Sequence, residues 1–391
     1  MIFLTYEFVV FSLLTILAYY LIPSEWIRKL SLIGASCAFL VLYGGLGSLY
    51  VVLALLVLTY AAGRLETRAV LLAAIAVCVA ALAYFKYDRF LLSSVGLDPA
   101  QVQPLFGPAT FVPLGISFFA FEFIHYLIDR RRGERPVIRF IDFLCFGLFW
   151  PTMVAGPIKR YEQFLPALER GVAGPRIEDL ARGLARVSVG LVKKWAADNL
   201  TGWILAFEPQ YSTSPLTMRW IFLAVLSTRI LLDFSGYSDM AIGFARMLGI
   251  QVPENFNWPY LARSPSAFWR RWHISLSSWI RDYVYISLGG NRLGTVRRIG
   301  NGLAAMSLCG LWHGPDWHFA AWGVYHGIGL ASSTAVERGW RHYSPAPGKG
   351  IATVANLLSW SGTMLFVCVG WLLFFYPLGR AVEMAGQLFR P

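Results

Sequence analysis

Residues 354–375 read VANLLSWSGTMLFVCVGWLLFF, a run that contains no charged side chain. A bilayer core of about 30 Å takes roughly 20 apolar residues of helix to cross. The length and composition of this run therefore predict a transmembrane helix. Similar apolar runs recur from the first residues of the chain to about Tyr376. The pattern favours one polytopic membrane domain rather than a soluble protein with a single anchor.

Short polar interruptions divide these apolar runs into separate predicted spans. The spans lie at residues 2–22, 30–43, 49–62, 70–85, 111–128, 187–207, 220–234, 240–250, 302–311, 320–335 and 354–375. The shorter runs are expected to tilt or to be short crossings. We therefore predict an all-α, polytopic membrane protein with about ten or eleven transmembrane helices plus re-entrant or interfacial helices.

One apolar run is too short to cross comfortably. It covers residues 141–154, and Pro151, Gly156 and Pro157 interrupt it or follow it closely. Irregular backbone at membrane depth is tolerated only where protein or a water-filled cavity satisfies its polar groups. The run therefore predicts a broken or re-entrant helix and an internal cavity.

The composition and charge exclude several classes of protein. Hydrophobic residues make up 57% of the 391 residues and charged residues 14%, against about a quarter charged in ordinary soluble domains. The net charge is +12, but the basic side chains lie mainly in short connections such as residues 129–135, as the positive-inside rule describes. We expect contact with membrane lipid and no binding of nucleic acid.

The cysteines do not form a metal or redox motif. They occur singly in apolar surroundings, at Cys37, Cys78, Cys145, Cys309 and Cys368. No two cysteines lie at the spacing of a zinc or redox site, and His318 and His326 are too far apart for ligation from adjacent turns. We therefore expect packing cysteines and no metal.

Residues 263–298 differ in character from the rest of the chain. They contain seven arginines and a single acid, Asp282, mixed with tryptophan and tyrosine. Aromatic and cationic side chains together are typical of the membrane interface. We expect this segment to lie at the cytoplasmic interface or to dip inward from it.

Two histidines stand out as candidates for chemistry. His313 is flanked by Gly310, Gly314 and Pro315, which indicates a place where helical geometry breaks and the backbone can approach a substrate. His273 lies in the polar stretch RRWHISLS. An imidazole with an ordinary pKa of about 6.5 can take a proton from an attacking hydroxyl or thiol near neutral pH.

The residue patterns alone leave two classes of protein open. Ionisable side chains within membrane segments usually face the interior of the helix bundle and are functional candidates. His125, with Glu122 one turn before it, is better explained as part of a buried polar pair that ties two helices together. The chain has no P-loop, nucleophile elbow or dinucleotide-binding turn. A histidine-lined cavity fits either an enzyme or a proton-coupled transporter.

A series of motifs between residues 113 and 314 resembles the membrane-bound O-acyltransferase family, in its bacterial branch. The resemblance covers about Pro113 to Gly329. In order, the matching segments are PLGISF (113–118), VAGPI (154–158), DFSGYSDM (233–240), FWRRWHISLS (268–277), RDYVY (281–285) and GLWHG (310–314).

The resemblance implies a fold and an active site. The family's fold is a ring of helices around a central funnel, so we expect one membrane domain over residues 1–391, with N-terminal helices over 1–110, a catalytic core over 111–330 and C-terminal helices over 331–391. The family's near-invariant histidine falls on His313 and its second active-site position on His273. Direct acyl transfer and a covalent relay both stay open.

The resemblance also implies substrates, partners and location. We expect a multi-pass protein of the bacterial inner (cytoplasmic) membrane that passes an acetyl group from acetyl-CoA toward an exported polysaccharide, through an extracytoplasmic partner and without a bound cofactor. The continuation of RDYVY into ISLGGNR, residues 286–292, favours the polysaccharide-acetylating enzymes. D-alanyl transfer from a carrier protein to teichoic acid is the alternative. The expected substrate-binding residues are Trp312, Trp272, Ser277, Arg281, Asp282, Tyr283, Asn291 and Tyr237.

The charge pattern yields a test of topology. Since residues 129–135 form a short and strongly basic connection, we predict that they face the cytoplasm. A cysteine introduced at Arg131, in a variant without the native cysteines, should escape an impermeant thiol reagent in intact cells and react after permeabilisation. Labelling in intact cells would contradict this topology.

Overall fold

The computed structural model describes residues 5–65, 67–98, 111–135, 139–292, 294–343 and 349–390. Over these ranges the protein is built from helices, turns and loops and has no β-strand, which confirms the all-α fold class. The α-helices are α1 (Tyr6–Leu21), α2 (Glu25–Arg64), α3 (Arg68–Leu82), α4 (Asp88–Ser94), α5 (Ile116–Arg131), α6 (Phe140–Gly147), α7 (Tyr161–Ala173), α8 (Ile177–Phe207), α9 (Leu216–Met247), α10 (Pro265–Trp269), α11 (Ile274–Trp279), α12 (Gly294–His313), α13 (Trp317–Tyr343), α14 (Lys349–Phe375) and α15 (Leu378–Gln387).

Short segments of other helical geometry join some of these helices. Two are π-helical, at Ala83–Tyr87 and Ile280–Tyr285. Three are 3₁₀ turns, at Trp150–Thr152, Glu208–Thr213 and Pro259–Leu261. π-helical turns within α-helices occur frequently at functional sites.

The chain divides into two compact units. The first comprises Met1–Gly190 and Tyr237–Pro253, and the second comprises Leu191–Gly236 and Glu254–Pro391. Helices α8 and α9 each contribute residues to both units. The sequence-based prediction of one domain over residues 1–391 stays a prediction, because a division by contacts does not show whether either unit folds alone.

In the first unit, the predicted runs 30–43 and 49–62 are two helical segments within α2. They are separated at Gly45, whose φ of 73° and ψ of 168° are not helical. Glycine reaches positive φ without steric cost, so it allows a sharp kink between the two segments. The predicted division of the two runs is therefore confirmed.

Buried ion pairs connect the helices of the first unit. Lys159 Nζ donates to both carboxylate oxygens of Glu122 at 2.7 Å, and both side chains are almost fully buried. Lys29 Nζ contacts Asp142 Oδ1 at 2.6 Å. A buried charge needs a partner of opposite charge. Glu122, which sequence reasoning placed with His125, therefore has Lys159 as its counter-charge.

The run over residues 141–154 is a broken helix, in agreement with the prediction. Helix α6 ends at Gly147, and a 3₁₀ turn at Trp150–Thr152 follows. A Cβ added at Gly156 would lie 2.5 Å from the Cα of Thr152, so this turn closes tightly. Only glycine fits such a close approach of backbone.

In the second unit, α12 and α13 form a tightly packed helical hairpin. A Cβ added at Gly310 would lie 2.1 Å from the carbonyl oxygen of Phe319, and one added at Gly323 would lie 2.2 Å from that of Met306. Small residues at a helix interface let the two backbones approach closely, as in many membrane helix pairs. Gly310 therefore serves helix packing, whereas the sequence suggested that it breaks the helix.

Three helices of the described residues are long and apolar enough to cross a membrane. They are Glu25–Arg64, Arg68–Ser94 and Thr353–Phe375. The third contains the run 354–375, so its predicted helix is confirmed. The predicted runs 220–234 and 240–250 lie together in α9. The total of about ten or eleven spans stays a prediction.

The close packing of α12 against α13 can be tested by adding one methyl group at Gly323. Gly323→Ala should lower the thermal midpoint of detergent-purified protein, because overpacking against backbone costs about 1–3 kcal/mol. Gly362→Ala is the matched control, since a Cβ there meets nothing within 4 Å. Equal midpoints for the two variants would show that α12 and α13 are not in close contact at Gly323.

Candidate active site

His273 occupies a strained position just before α11. Its backbone has φ 43° and ψ 54°, in the left-handed region. The segment around it is held by Asn255 and its neighbours: Ile274 N donates to Asn255 O at 2.9 Å, and Asn257 N donates to Arg271 O at 2.9 Å. Non-glycine residues at positive φ cost on the order of 1–3 kcal/mol and persist only where the surroundings hold them. Such strain is concentrated at functional sites.

The side chain of His273 is held by a buried asparagine. Asn255 is fully buried, and its Oδ1 lies 3.1 Å from His273 Nδ1. The same oxygen accepts hydrogen bonds from the backbone N–H of Ser275 at 3.2 Å and from its hydroxyl at 2.9 Å. Sequence reasoning missed Asn255. The signal for it was a pair of amides, at 255 and 257, among aromatic residues and prolines in VPENFNWPY, residues 252–260.

His313 is the last residue of α12 and is half-buried. Aromatic rings surround its imidazole: the centroid distances are 4.8 Å to Trp312, 5.3 Å to Trp322 and 5.0 Å to Phe374. The helix ends because Gly314 follows, and a Cβ at Gly314 would lie 2.1 Å from the ring of Phe319. The predicted break in helical geometry thus falls directly after His313.

The two histidines, 40 residues apart in sequence, meet at one tryptophan. The ring of Trp312 lies 5.9 Å from that of His273 and 4.8 Å from that of His313. His273 lies outside the three long apolar helices, and burial, with a further contribution from nearby His313, holds the pKa of its imidazole well below the usual range. His273 is therefore neutral at neutral pH.

The second unit contains a cavity of about 700 Å³ whose lining includes residues close in sequence to both histidines, though neither histidine itself. Its polar lining comprises Ser266, Arg270, Ser277, Ser278, Arg281, Tyr285, Asn291, Arg298 and Thr334. Its apolar wall includes Ile274, Ile280, Ile299, Ala305, Met306, Cys309, Leu330 and Ala331. Ile274 directly follows His273, and Cys309 lies about one helical turn before His313. The volume is in the range of small-molecule sites.

Three of the predicted substrate-binding residues line this cavity. Ser277 donates its hydroxyl to Trp272 O at 3.0 Å, and Asn291 Oδ1 accepts a hydrogen bond from the hydroxyl of Tyr285. Arg281 Nε contacts Asp282 Oδ1 at 2.7 Å, so Asp282 acts there as the counter-charge of an arginine. The residues Ser277, Arg281 and Asn291 are thus brought to one site.

The remaining predicted residues have other positions. Trp272 is buried in an aromatic core, with its ring 4.8 Å from that of Trp371. Tyr283 is buried with its ring 5.4 Å from that of Trp279. Tyr237 belongs to the first unit. Trp272 and Tyr283 are thus core residues, and the position of this segment at the membrane interface stays a prediction.

The described residues contain no group of three or more histidine, cysteine, aspartate or glutamate side chains that could hold a metal ion. The site consists instead of two imidazoles, indole rings and an arginine-bearing cavity. Imidazoles accept and donate protons, and arginines attract anions. This combination suits the transfer of an acyl group from an anionic donor to a hydroxyl.

Comparison with known proteins agrees with this geometry. Residues 49–376 match the model of MBOAT, the membrane-bound O-acyltransferase family. The chain is 38% identical over 321 residues to the probable alginate O-acetylase AlgI of Pseudomonas aeruginosa, covering 80% of this chain and 59% of that protein. It is 32% identical over 324 residues to the peptidoglycan O-acetyltransferase of Helicobacter pylori, covering 76% and 60%.

A further relative is named for the transfer of a different acyl group, D-alanyl. It is the teichoic acid D-alanyltransferase of Bacillus subtilis, 28% identical over 299 residues, with 72% of this chain and 74% of that protein covered. The chain spans about 59% of the length of the alginate O-acetylase of Pseudomonas aeruginosa. Because the family model matches most of the chain, the protein belongs to the membrane-bound O-acyltransferase family.

Proposed function

We propose that the protein is an acyltransferase that passes an acetyl group from a cytoplasmic donor, acetyl-CoA, toward an exported cell-surface polysaccharide. The observation that carries this proposal is the meeting of His273 and His313 at Trp312, in the same unit as an arginine-bearing cavity lined by Ile274 and Cys309. Two relatives named as O-acetylating enzymes of bacterial polymers support the acetyl group and the polymer.

In the proposed reaction His313 acts as the general base. It removes the proton of a hydroxyl as the hydroxyl oxygen attacks the acetyl carbonyl carbon, the carbon–sulfur bond of the thioester breaks, and the thiolate of coenzyme A leaves with the proton from His313, which regenerates the base. His273 positions the reacting groups. The aromatic rings around His313 exclude water, which favours transfer over hydrolysis.

The cavity is the proposed entrance of the donor. Arg270, Arg281 and Arg298 lie in its wall, and Asp282 pairs with Arg281. Guanidinium groups bind phosphates through paired N–H donors. Coenzyme A carries several phosphate charges, so Arg270 and Arg298 would hold its nucleotide end while the thioester reaches inward past Cys309.

We place the protein in the bacterial inner membrane as a multi-pass protein, with an extracytoplasmic acetyltransferase as its partner. The relatives named above come from bacteria. The donor is made in the cytoplasm and the acceptor is an exported polymer, so the acyl group must cross the membrane. A partner on the outer side would complete the transfer to the polysaccharide.

D-alanyl transfer from a carrier protein is the second candidate, favoured by the match to the teichoic acid D-alanyltransferase. A proton-coupled transporter would use membrane histidines without breaking a bond. Labelled donors distinguish the three. Detergent-purified protein that releases coenzyme A from acetyl-CoA supports the first, consumption of D-alanyl carrier protein supports the second, and uptake of an intact substrate into vesicles supports the third.

Loss of the proposed base should remove turnover. His313→Ala is expected to lower the rate of acetyl transfer by about 10²- to 10⁴-fold, the usual contribution of general-base catalysis. His273→Ala should also be impaired. Transfer is measured in detergent-purified protein together with thermal stability and donor affinity. A folded His313→Ala protein with near-wild-type transfer would overturn the assignment.

We expect the arginines of the cavity to increase the affinity of the protein for its donor. The double variant Arg270→Gln with Arg298→Gln is expected to raise KM for acetyl-CoA by about tenfold with little change in kcat, because these side chains contact the donor away from the thioester. Arg297→Gln is the matched control: Arg297 is adjacent and exposed and is not part of the cavity lining. If both variants change KM equally, the cavity is not the donor site.

A further inference from the structure

The hydrogen bonds of Asn255 decide the tautomer of His273. A backbone N–H can only donate, so the side-chain atom of Asn255 that receives the N–H of Ser275 is the amide oxygen. That same oxygen lies 3.1 Å from His273 Nδ1. A carbonyl oxygen only accepts, so Nδ1 of the neutral imidazole carries the hydrogen. The lone pair of His273 is therefore on Nε2.

The Nε2 atom of His273 has no hydrogen-bonding partner among the described residues, although it is fully buried. Leaving a buried acceptor unpaired costs about 1–3 kcal/mol. The protein also maintains a left-handed backbone at this residue, with φ 43°. Two unfavourable features at one residue indicate that the imidazole is held ready for a group that is absent from the free protein.

We propose that Asn255 is a positioning residue for acyl transfer: it fixes His273 as the Nδ1–H tautomer, so that Nε2 accepts a hydrogen bond in the reacting complex. This inference rests on the proposed function, because it concerns the same pair of histidines. It limits the role of His273 to accepting a hydrogen bond through Nε2. In this tautomer Nε2 cannot donate a hydrogen bond to the oxyanion of the acyl intermediate.

The hydrogen bonds around Asn255 hold it in the orientation that positions His273. Its Oδ1 is held by the N–H and the hydroxyl of Ser275, so it cannot turn away from His273. The main chain of Asn255 also accepts from Ile274 N at 2.9 Å. One residue thus fixes both the backbone beside His273 and the protonation of its ring. Leucine at position 255 would fill a similar volume without accepting these hydrogen bonds.

Two substitutions of Asn255 distinguish a role in positioning His273 from a purely structural role. Asn255→Leu removes the acceptor, so the two tautomers of His273 should become mixed and kcat should fall by about 10- to 100-fold with little change in KM, as for other groups that orient a functional imidazole. Asn255→Asp keeps the acceptor and adds a negative charge. The carboxylate stabilises the imidazolium form of His273, which then persists to higher pH and has no lone pair on Nε2.

The pH profile of Asn255→Asp is therefore the decisive kinetic readout. Transfer should be lost on the acidic side and recover as the pH rises, so the acidic limb of the kcat profile moves to higher pH than in the wild type. Asn257→Leu is the matched control, because Asn257 is exposed in the same segment. We expect a wild-type profile for it. An unshifted acidic limb in a folded Asn255→Asp protein would overturn the proposal.

A spectroscopic readout decides the tautomer without any acyl transfer. In protein labelled with ¹⁵N-histidine, the His273 signals are identified by their loss in His273→Gln. The proposal expects Nε2 in the unprotonated range in the wild type and in Asn257→Leu, and averaged nitrogen shifts in Asn255→Leu. Nε2 in the protonated range in the wild type would overturn it. Confirmation of the tautomer in a protein that does not transfer acetyl groups would reject the proposed function and leave the role of Asn255 in fixing the ring intact.

Discussion

Three hydrogen bonds converge on the amide oxygen of Asn255, and the geometry of the site depends on them. Two come from Ser275 and the third from the ring of His273. Together they hold residues 270–275 against 254–257 and stabilise a backbone conformation at His273 that an L-amino acid rarely adopts. Because Asn255 is fully buried, water cannot replace it. The site is thus built from loop segments held by a polar contact within an aromatic core.

The aromatic rings give that polar contact its strength. The ring of Phe234 lies 4.6 Å from His273 and that of Trp312 lies 5.9 Å away. Low polarity strengthens each hydrogen bond in the core and raises the cost of an unpaired group. His313, at the end of α12, is only half-buried. The two imidazoles therefore differ in their environment: His273 is enclosed and held by Asn255, whereas His313 is partly exposed.

The sequence predicted the kind of fold and the two histidines, but not what holds them. A long uncharged run such as residues 354–375 predicts a helix because its apolar side chains suit the hydrocarbon core of a membrane. The glycines at 44 and 45 predict the division between the two segments of α2, and the structure has its non-helical residue at Gly45. The role of Gly310 in packing depends on α13, and that of Asn255 on Ser275. Both are contacts that no local pattern encodes. Motif resemblance located His273 and His313 because their sequence neighbours are distinctive.

The site also separates two kinds of recognition along the proposed path of the donor. Arginines line the cavity, and they attract an anionic donor whatever acyl group it carries. The acyl group itself would reach the rings of Trp312, Trp322 and Phe374 around His313. An acetyl methyl gains from burial there, whereas the ammonium of a D-alanyl group would leave water, at a cost that aromatic faces offset only in part. In the proposed reaction, the charge of the cavity would select an anionic carrier, and the aromatic rings around His313 would favour the neutral acetyl group.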